Sequence, residues 1–351
     1  MMGRPRTLVG RAALSSLSNA VIAISCGLPT AAIAIDPGLV VIRPANQKVS
    51  ACGTLAEPIL QPYEPITGGY THDSNDTGFY DVNLSVKVRL LPWCSTPAYV
   101  HPYFAMATRF GFYWGSRPNS PVIGKNYNPV LLLRFIRPNQ EMRQDYQTFE
   151  RRDYIDVIPY AHQSNGQLIH TQEEYEAELQ SLQIPSYTNN FIHRGWDYVG
   201  IVWKKSWTEE FATYLEGRYF LQNGLLQGPP NEYQSWEDNP QGKPRRAVDG
   251  LSATFEFPTS YAHFVVDPSD DPCLRDTTVK HLICRLRPNV TVKYLTGYDT
   301  PFKYSTGRVE LGFQVLTLPL VLWIQHGYMS SLAMYYEKVT STGIQVRFQS
   351  W

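Results

Sequence analysis

Alternation of apolar and polar residues is the dominant pattern along this chain, and it predicts β-strands. The segment DVNLSVKVRL, residues 81–90, places its apolar side chains on one face and its polar side chains on the other. The segments PNVTVKYL at residues 288–295 and GIQVRF at residues 343–348 repeat this pattern. Each of these strands is expected to have one apolar and one polar face.

Twelve segments of this kind together predict a barrel that crosses a membrane. Their centres lie near residues 67, 85, 105, 131, 157, 200, 215, 253, 289, 312, 326 and 345. The segments are about as long as the ~9–11 residues that a tilted strand needs to cross a bilayer. The expected fold is therefore all-β, a twelve-stranded antiparallel transmembrane β-barrel. An exported β-sandwich, with the same alternation directed into a core, is the alternative.

Residues 1–34 have the organisation of a signal peptide. Arginines near the N-terminus precede an apolar run, which ends in an Ala-Ile-Ala sequence at residues 32–34. Small residues and Pro29 interrupt the run, which favours a cleaved signal over an anchoring helix. The expected mature chain, residues 35–351, begins with a periplasmic stretch of about residues 35–62 and continues as a single barrel with long external loops.

Composition limits the kinds of partner that the chain can have. The 31 basic and 31 acidic residues balance, so the charge gives no indication of nucleic-acid binding. An aromatic content of 13% is typical of the girdles of a membrane barrel or of a sugar-binding sandwich. Removal of the signal peptide leaves Cys52, Cys94, Cys273 and Cys284, which allow three pairings, and the last two are nearest in sequence.

Two copies of a His-x-Ser sequence are candidates for a nucleophile and its base. His72 and Ser74 lie in YTHDSND, and His162 and Ser164 lie in YAHQSNG. Residues i and i+2 of a strand share a face, so each imidazole could take the proton of its serine hydroxyl. The second copy has a possible third member in Asp197, a carboxylate on an otherwise apolar strand face. Polar residues near a turn are the alternative explanation, and this explanation suffices for the first copy, which NDTG follows.

The remaining histidines give no sign of a metal site. They show no ligand spacing and are expected on the surface or in loops: His101, His170, His193, His263, His281 and His326. The chain also lacks the G-x-S-x-G, H-E-x-x-H and C-x-x-C motifs and any phosphate-binding loop.

With these residues in view, the chain resembles the outer membrane phospholipase A family of Gram-negative bacteria, over most of the mature sequence. The matching segments are NYNPVLLLRF at residues 126–135, YAHQSNG at 160–166, RGWD at 194–197 and GRVELGFQV at 307–315. The resemblance implies a twelve-stranded barrel in the outer membrane, with a Ser-His-Asn site that faces the lipid. It also implies hydrolysis of the acyl esters of membrane phospholipids.

Carried onto this sequence, the resemblance makes Ser164 the nucleophile and His162 the general base. Asp197 stands where the family has Asn, and a carboxylate can equally hold the imidazole proton and stabilise the imidazolium. Two rival interpretations are a non-enzymatic barrel of the same fold, such as a pore or scaffold, and a soluble exported hydrolase of the sandwich type.

The resemblance further implies that Ca²⁺ binds at a homodimer interface, where a hard cation polarises the ester carbonyl. Ser120 would be the ligand from the neighbouring subunit, and Gln167 would offer its main-chain carbonyl oxygen. His193 departs from the pattern, because it stands where the family has a second ligating serine, and an imidazole is a poor calcium ligand. The loop from Gln167 to His193 is also longer than is usual in the family, and its glutamates could supply replacement oxygens.

Overall fold

The computed structural model of this protein describes ten segments of the chain. They are residues 60–74, 78–91, 100–114, 122–136, 153–182, 188–208, 211–226, 242–258, 288–315 and 318–348. The predicted signal peptide, most of the predicted periplasmic stretch, Ser120 and all the cysteines lie outside these segments.

The described residues form a closed antiparallel barrel of twelve strands, with a short additional strand before them. The strands are β1 Leu60–Gln61, β2 Ile66–Asp73, β3 Gly78–Arg89, β4 Val100–Phe112, β5 Val122–Ile136, β6 Tyr154–Ser164, β7 Gly195–Thr208, β8 Phe211–Phe220, β9 Gly250–Pro258, β10 Asn289–Gly297, β11 Ser305–Val315, β12 Leu318–Gly327 and β13 Val339–Phe348. Each strand from β2 onward pairs with the next, β13 pairs with β2, and β1 adds to β3. The predicted barrel is confirmed, the sandwich is wrong, and every predicted strand centre lies within one of the twelve strands.

The outer wall is apolar, as the alternation predicts for strands that face lipid. Large apolar side chains exposed on it include Leu84, Phe104, Leu131, Leu215, Val309, Leu322 and Ile344. The bore holds polar and charged groups that pair with one another. Arg134 donates two hydrogen bonds of 2.7 Å to Asp156, and Glu310 accepts one of 2.6 Å from Arg308. Buried charges require such partners, since an unpaired charge in this position is costly.

The two ends of the barrel differ in what covers them. We call the end of the barrel at which β2 ends the loop end. The connections 165–194 and 221–249 at this end are long. Side chains from the connection 221–249 and from residues 328–338 meet side chains of the strands in one buried cluster, which includes Val248, Tyr335 and Trp196 of β7. Long connections are not confined to this end, because β9 and β10 are joined by residues 259–288 at the other end.

Two helices lie in the connections at the loop end, α1 at Gln172–Leu182 and α2 at Arg245–Val248. The first forms in the long loop between β6 and β7, in a segment composed mostly of good helix formers. No helix among the described residues is long and apolar enough to span a bilayer.

Of the remaining histidines, His263 and His281 lie outside the described residues, and His101 is an exception to the expected position on the surface or in a loop. It faces the bore from β4 and is fully buried, where it pairs in register with Arg134 of β5. The expectation was wrong because it rested on the absence of ligand spacing, which carries no information about burial.

Candidate active site

A β-bulge in β6 determines which way His162 and Ser164 face. Ile158 pairs with Gly200 of β7, but the next pair is Ala161 with Tyr198, so β6 has one extra residue. Before the bulge Asp156 and Ile158 are buried towards the bore, and after it the buried residues are Ala161 and Gln163. One extra residue reverses the alternation. His162 and Ser164 therefore lie on the outer wall. Unbroken alternation from Asp156 would instead have directed them into the bore.

Pro159 lies within this bulge. Proline has no N–H group to donate, so a bulge or an edge is where a sheet accommodates it. From the bore side, Gln163 accepts a hydrogen bond from the buried Arg245 guanidinium. That guanidinium lies 4.4 Å from the centre of the Trp196 ring. The strand segment that carries His162 and Ser164 is thus held from inside the barrel.

His162 and Asp197 are directly opposite each other on β6 and β7. The distance between His162 Nδ1 and Asp197 Oδ1 is 2.6 Å, which is a short, charge-assisted hydrogen-bond distance. The structure therefore brings together the predicted base and the predicted acid on the outer wall. An acid in this position fixes the tautomer of the imidazole with its proton on Nδ1.

Asp197 is fully buried although it belongs to the outer wall. The residues that follow β8, 221–226, lie over it, and Leu226 donates its main-chain N–H to Asp197 Oδ2 at 2.9 Å. The Tyr160 hydroxyl donates to the same oxygen at 2.6 Å. Within this cover Gly224 approaches so closely that a Cβ atom there would overlap Asp197 Oδ2. The carboxylate is thus screened from lipid and has a donor for each oxygen.

Ser164 pairs in register with Gly195 of β7. A Cβ atom placed on Gly195 would lie 3.5 Å from Ser164 Cβ, 3.5 Å from His162 Cε1 and 3.6 Å from His193 Nε2. Three polar side chains therefore surround one small space, which a side chain on residue 195 would fill. The structure brings Ser164 and His162 together at this space, and it adds His193 to them.

Asn165 ties together the two arms of the loop between β6 and β7. Its side-chain N–H donates to the Ile192 carbonyl oxygen at 2.7 Å, and its side-chain oxygen accepts from the Arg194 N–H at 2.7 Å. Both groups are buried, so water does not compete for these hydrogen bonds. The Asn of the YAHQSNG segment thus has a positioning role for the residues on either side of it.

Two glutamates of the long loop form hydrogen bonds within the loop itself. At the start of α1, Glu174 N–H donates to Thr171 Oγ1 at 3.2 Å, while Glu174 Oε2 accepts from the His170 and Thr171 N–H groups. This arrangement is a capping box. The hydrogen bond from the His170 N–H lowers the pKa of the Glu174 carboxyl. Glu176 accepts from Gln172 on the exposed face of the helix.

The described residues do not fit a calcium site well. Ca²⁺ takes six to eight oxygen ligands, but the side chain bordering the space at Ser164 is the imidazole of His193. The Gln167 side chain is buried, and oxygens of Glu174 and Glu176 cap or brace their own helix. Within the described part of the chain, no group of three or more His, Cys, Asp or Glu side chains could hold a metal ion.

The first His-x-Ser copy lies at the seam where the barrel closes. Ser74 N–H donates to the Thr340 carbonyl oxygen at 2.7 Å, and Ser74 Oγ accepts from the Thr340 N–H at 3.2 Å. The hydroxyl thus extends the pairing between β2 and β13. This structural use agrees with the prediction that the first copy has no catalytic part.

A groove of about 620 Å³ lies on the outer wall next to the candidate site. The side chains along it include Val157 and Pro159 of β6, Val199 and Ile201 of β7, Tyr219 of β8 and Leu251 of β9. Gly217 of β8 forms its floor, because a Cβ atom there would meet only Ile201, at 3.7 Å. Val199 is the next outward residue after Asp197, so the groove begins where the candidate site ends.

Sequence reasoning missed the roles of Tyr160, Gly224 and Leu226. Tyr160 lies within the quoted YAHQSNG segment and shares the face of His162, but only the bulge directs that face to the outer wall, where the hydroxyl bonds to Asp197. Gly224 and Leu226 belong to a loop that the strand pattern does not describe, and nothing in the sequence indicated that this loop returns to Asp197.

Comparison with known proteins gives a fold relationship. No family model matches the chain, and no curated protein matches it. The structure is similar to outer membrane phospholipase A from Escherichia coli, with a TM-score of 0.55 and 14% identity over 84% of this chain and 94% of that one. It is equally similar to the outer membrane phospholipase dimer of Salmonella typhi with bound calcium, with a TM-score of 0.55 and 14% identity over 83% of this chain and 92% of that one. The chain therefore has the fold of outer membrane phospholipase A.

Proposed function

We propose that this protein is a serine hydrolase of the outer membrane of Gram-negative bacteria, which cleaves the acyl esters of membrane phospholipids. The observation that carries the proposal is the hydrogen-bonded pair of His162 and Asp197, on the outer wall, at the space that Ser164 borders. A buried carboxylate bound to an imidazole next to a serine is the arrangement that activates a hydroxyl nucleophile. The shared fold supports the proposal.

In the proposed reaction, Ser164 Oγ attacks the carbonyl carbon of the ester, and its proton passes to His162 Nε2. Asp197 keeps the other imidazole proton on Nδ1 and stabilises the imidazolium that forms. His162 then gives its proton to the departing lysophospholipid oxygen, which leaves an acyl chain on Ser164. Water, deprotonated by His162, releases the fatty acid and restores the hydroxyl.

The surroundings of the site favour a lipid substrate. Leu225 and Leu226 of the cover over Asp197 are 87% and 59% exposed, and the groove beyond Val199 is apolar. An acyl chain placed in that groove would bring its ester to the level of Asp197 and His162.

A homodimer is also part of the proposal, on the strength of the resemblance and of the Salmonella structure. Chemical cross-linking in lipid vesicles tests it, with and without a substrate analogue. We do not include calcium in the proposal, because the loop presents an imidazole where an oxygen ligand is expected.

The experiment that tests the proposal is acyl release from mixed micelles of phospholipid and detergent by the purified protein. Ser164→Ala should lower the rate by at least about 10³-fold, and Asp197→Ala by about 10²–10⁴-fold. Ser74→Ala is the matched control, since it removes the hydroxyl of the other His-x-Ser copy and should retain activity. A Ser164→Ala protein as active as the wild type would refute the proposal.

The rival is a non-enzymatic barrel, such as a pore. The charged groups of the bore are paired with one another, and buried side chains meet at the loop end, which favours the enzyme. Steady ion conductance in planar bilayers, with no acyl release under any condition, would favour the pore.

A further inference from the structure

We infer that His193 polarises the ester carbonyl in this protein, in the place that the resemblance assigns to calcium. The inference rests on the proposed function and assigns a further residue to the same site. It starts from the space over Gly195, which Ser164, His162 and His193 border together.

His193 is placed where a donor to the reacting oxygen is needed. Its Nε2 atom lies 3.6 Å from the point that Ser164 Cβ and His162 Cε1 both approach to 3.5 Å. A carbonyl carbon under attack by Ser164 has to lie next to this point, on the outer side of Gly195, since it must come within reach of the serine hydroxyl. The carbonyl oxygen can then lie towards His193, on the side of the space away from Asp197.

The loop holds the His193 ring in this position from two directions. The His193 N–H donates to the Ile169 carbonyl oxygen at 2.8 Å, and Ile169 N–H donates to Phe191 at 3.1 Å. These bonds join the two arms of the loop, with Ile169 and Ile192 paired as a parallel bridge. His170, the next residue on the first arm, stacks its ring on that of His193 with 4.5 Å between ring centres.

A positioned imidazole can stabilise the negative charge that develops on the ester oxygen, as a calcium ion would. When Ser164 attacks, the electron pair of the C=O bond moves onto the oxygen, and His193 Nε2–H donates a hydrogen bond to that oxyanion. The proton of Ser164 goes to His162, so His193 ends the step with the proton it started with. Donors fixed in this way contribute mainly in the transition state, so the loss of one lowers kcat more than it changes KM.

The test combines calcium removal with substitution of His193, in the mixed-micelle assay. We expect the wild type to lose less than about twofold in rate in excess EDTA. We expect His193→Ala to lower kcat by about 10²–10³-fold with little change in KM, and His193→Gln, which keeps an N–H donor, to recover part of that loss. His326→Ala is the matched control, because His326 lies at the same end of the barrel and bonds to Thr340.

Two results would overturn the inference. One is activity that EDTA abolishes and calcium restores, and the other is a His193→Ala protein with the kcat of the wild type. Either result leaves the serine mechanism standing if Ser164→Ala remains inactive. Failure of the proposed function would appear differently, as activity that does not depend on Ser164.

Discussion

The Asp197 carboxylate lies 2.6 Å from the His162 imidazole on the lipid-facing wall of the barrel, yet it is fully buried. An ionised group directed at hydrocarbon is costly unless it is paired and hydrogen-bonded. Here residues 221–226 cover the carboxylate, and the Tyr160 hydroxyl and the Leu226 N–H complete its hydrogen bonds. The cover thus makes an aspartate tolerable at this position.

Gly224→Ala should displace the Asp197 carboxylate without unfolding the barrel. The new Cβ atom would overlap Asp197 Oδ2, so either the cover or the carboxylate must move. We expect kcat to fall at least about tenfold, because loss of a charged hydrogen bond costs about 1.5–3 kcal/mol. The measurement is acyl release, together with the heat-dependent mobility of the barrel in detergent gels.

The control for Gly224→Ala is Gly307→Ala, at an outward position of β11 where a Cβ atom meets nothing within 4 Å. It should leave both the rate and the mobility unchanged. A Gly224→Ala protein with full activity would show that residues 221–226 can move away from Asp197 without loss of its function.

Deletion of Pro159 should abolish activity by reversing the end of β6. Without the extra residue, the alternation would be continuous through the strand and one half would have to turn over. Asp156 anchors the first half through Arg134, so the half with His162 is expected to turn into the bore. Acyl release should fall by at least about 10²-fold.

Pro159→Ala is the control for that deletion, since it keeps the residue count and should keep the bulge. Labelling of a Gln163→Cys side chain separates reversal from unfolding. A lipid-phase thiol reagent should reach this cysteine in the deletion protein, and should not reach it in the protein with the full-length strand. An active deletion protein would refute the role of the bulge.

Gly217→Leu should change which esters are good substrates. The side chain would fill the groove beside Ile201, whose Cγ2 atom is 3.7 Å from the position that a Cβ atom on residue 217 would take. We expect kcat/KM for long acyl chains to fall roughly tenfold, with a smaller effect on short chains. Gly307→Leu, on the same wall but away from the groove, should affect neither. Equal losses for all chain lengths would show that substrate does not use this groove.

The start of α1 should loosen at acidic pH. The Glu174 carboxyl has a pKa below its ordinary value because the His170 N–H donates to it. Because this pKa is lower in the folded protein, the hydrogen bonds to the Glu174 carboxylate stabilise the helix fully above the ordinary carboxyl pKa of about 4.3. This stabilisation is lost as the pH falls through the pKa of the folded protein. The protection of the His170 and Thr171 amide protons, relative to their intrinsic exchange rate at each pH, should therefore fall at low pH. Glu174→Gln should remove this pH dependence, and Glu176→Gln should retain it.

The sequence determined the strands, because a period of two residues is a local property that each segment carries by itself. It also determined the neighbourhood of His162 and Ser164, since residues i and i+2 of any strand share a face. The apolar strand face around Asp197 indicated the third member, and the resemblance matched the same residue through the RGWD segment. These inferences needed no knowledge of how distant segments meet.

Only the tertiary structure decided which wall the candidate site occupies and what surrounds it. A single unpaired residue at Pro159 reverses the strand, and its effect is visible only when β6 is paired with β7. The burial of Asp197 depends on Gly224, and the place of His193 depends on a loop whose two arms are joined by hydrogen bonds. Such contacts arise between residues far apart in sequence, so no local pattern of hydrophobic and polar positions encodes them.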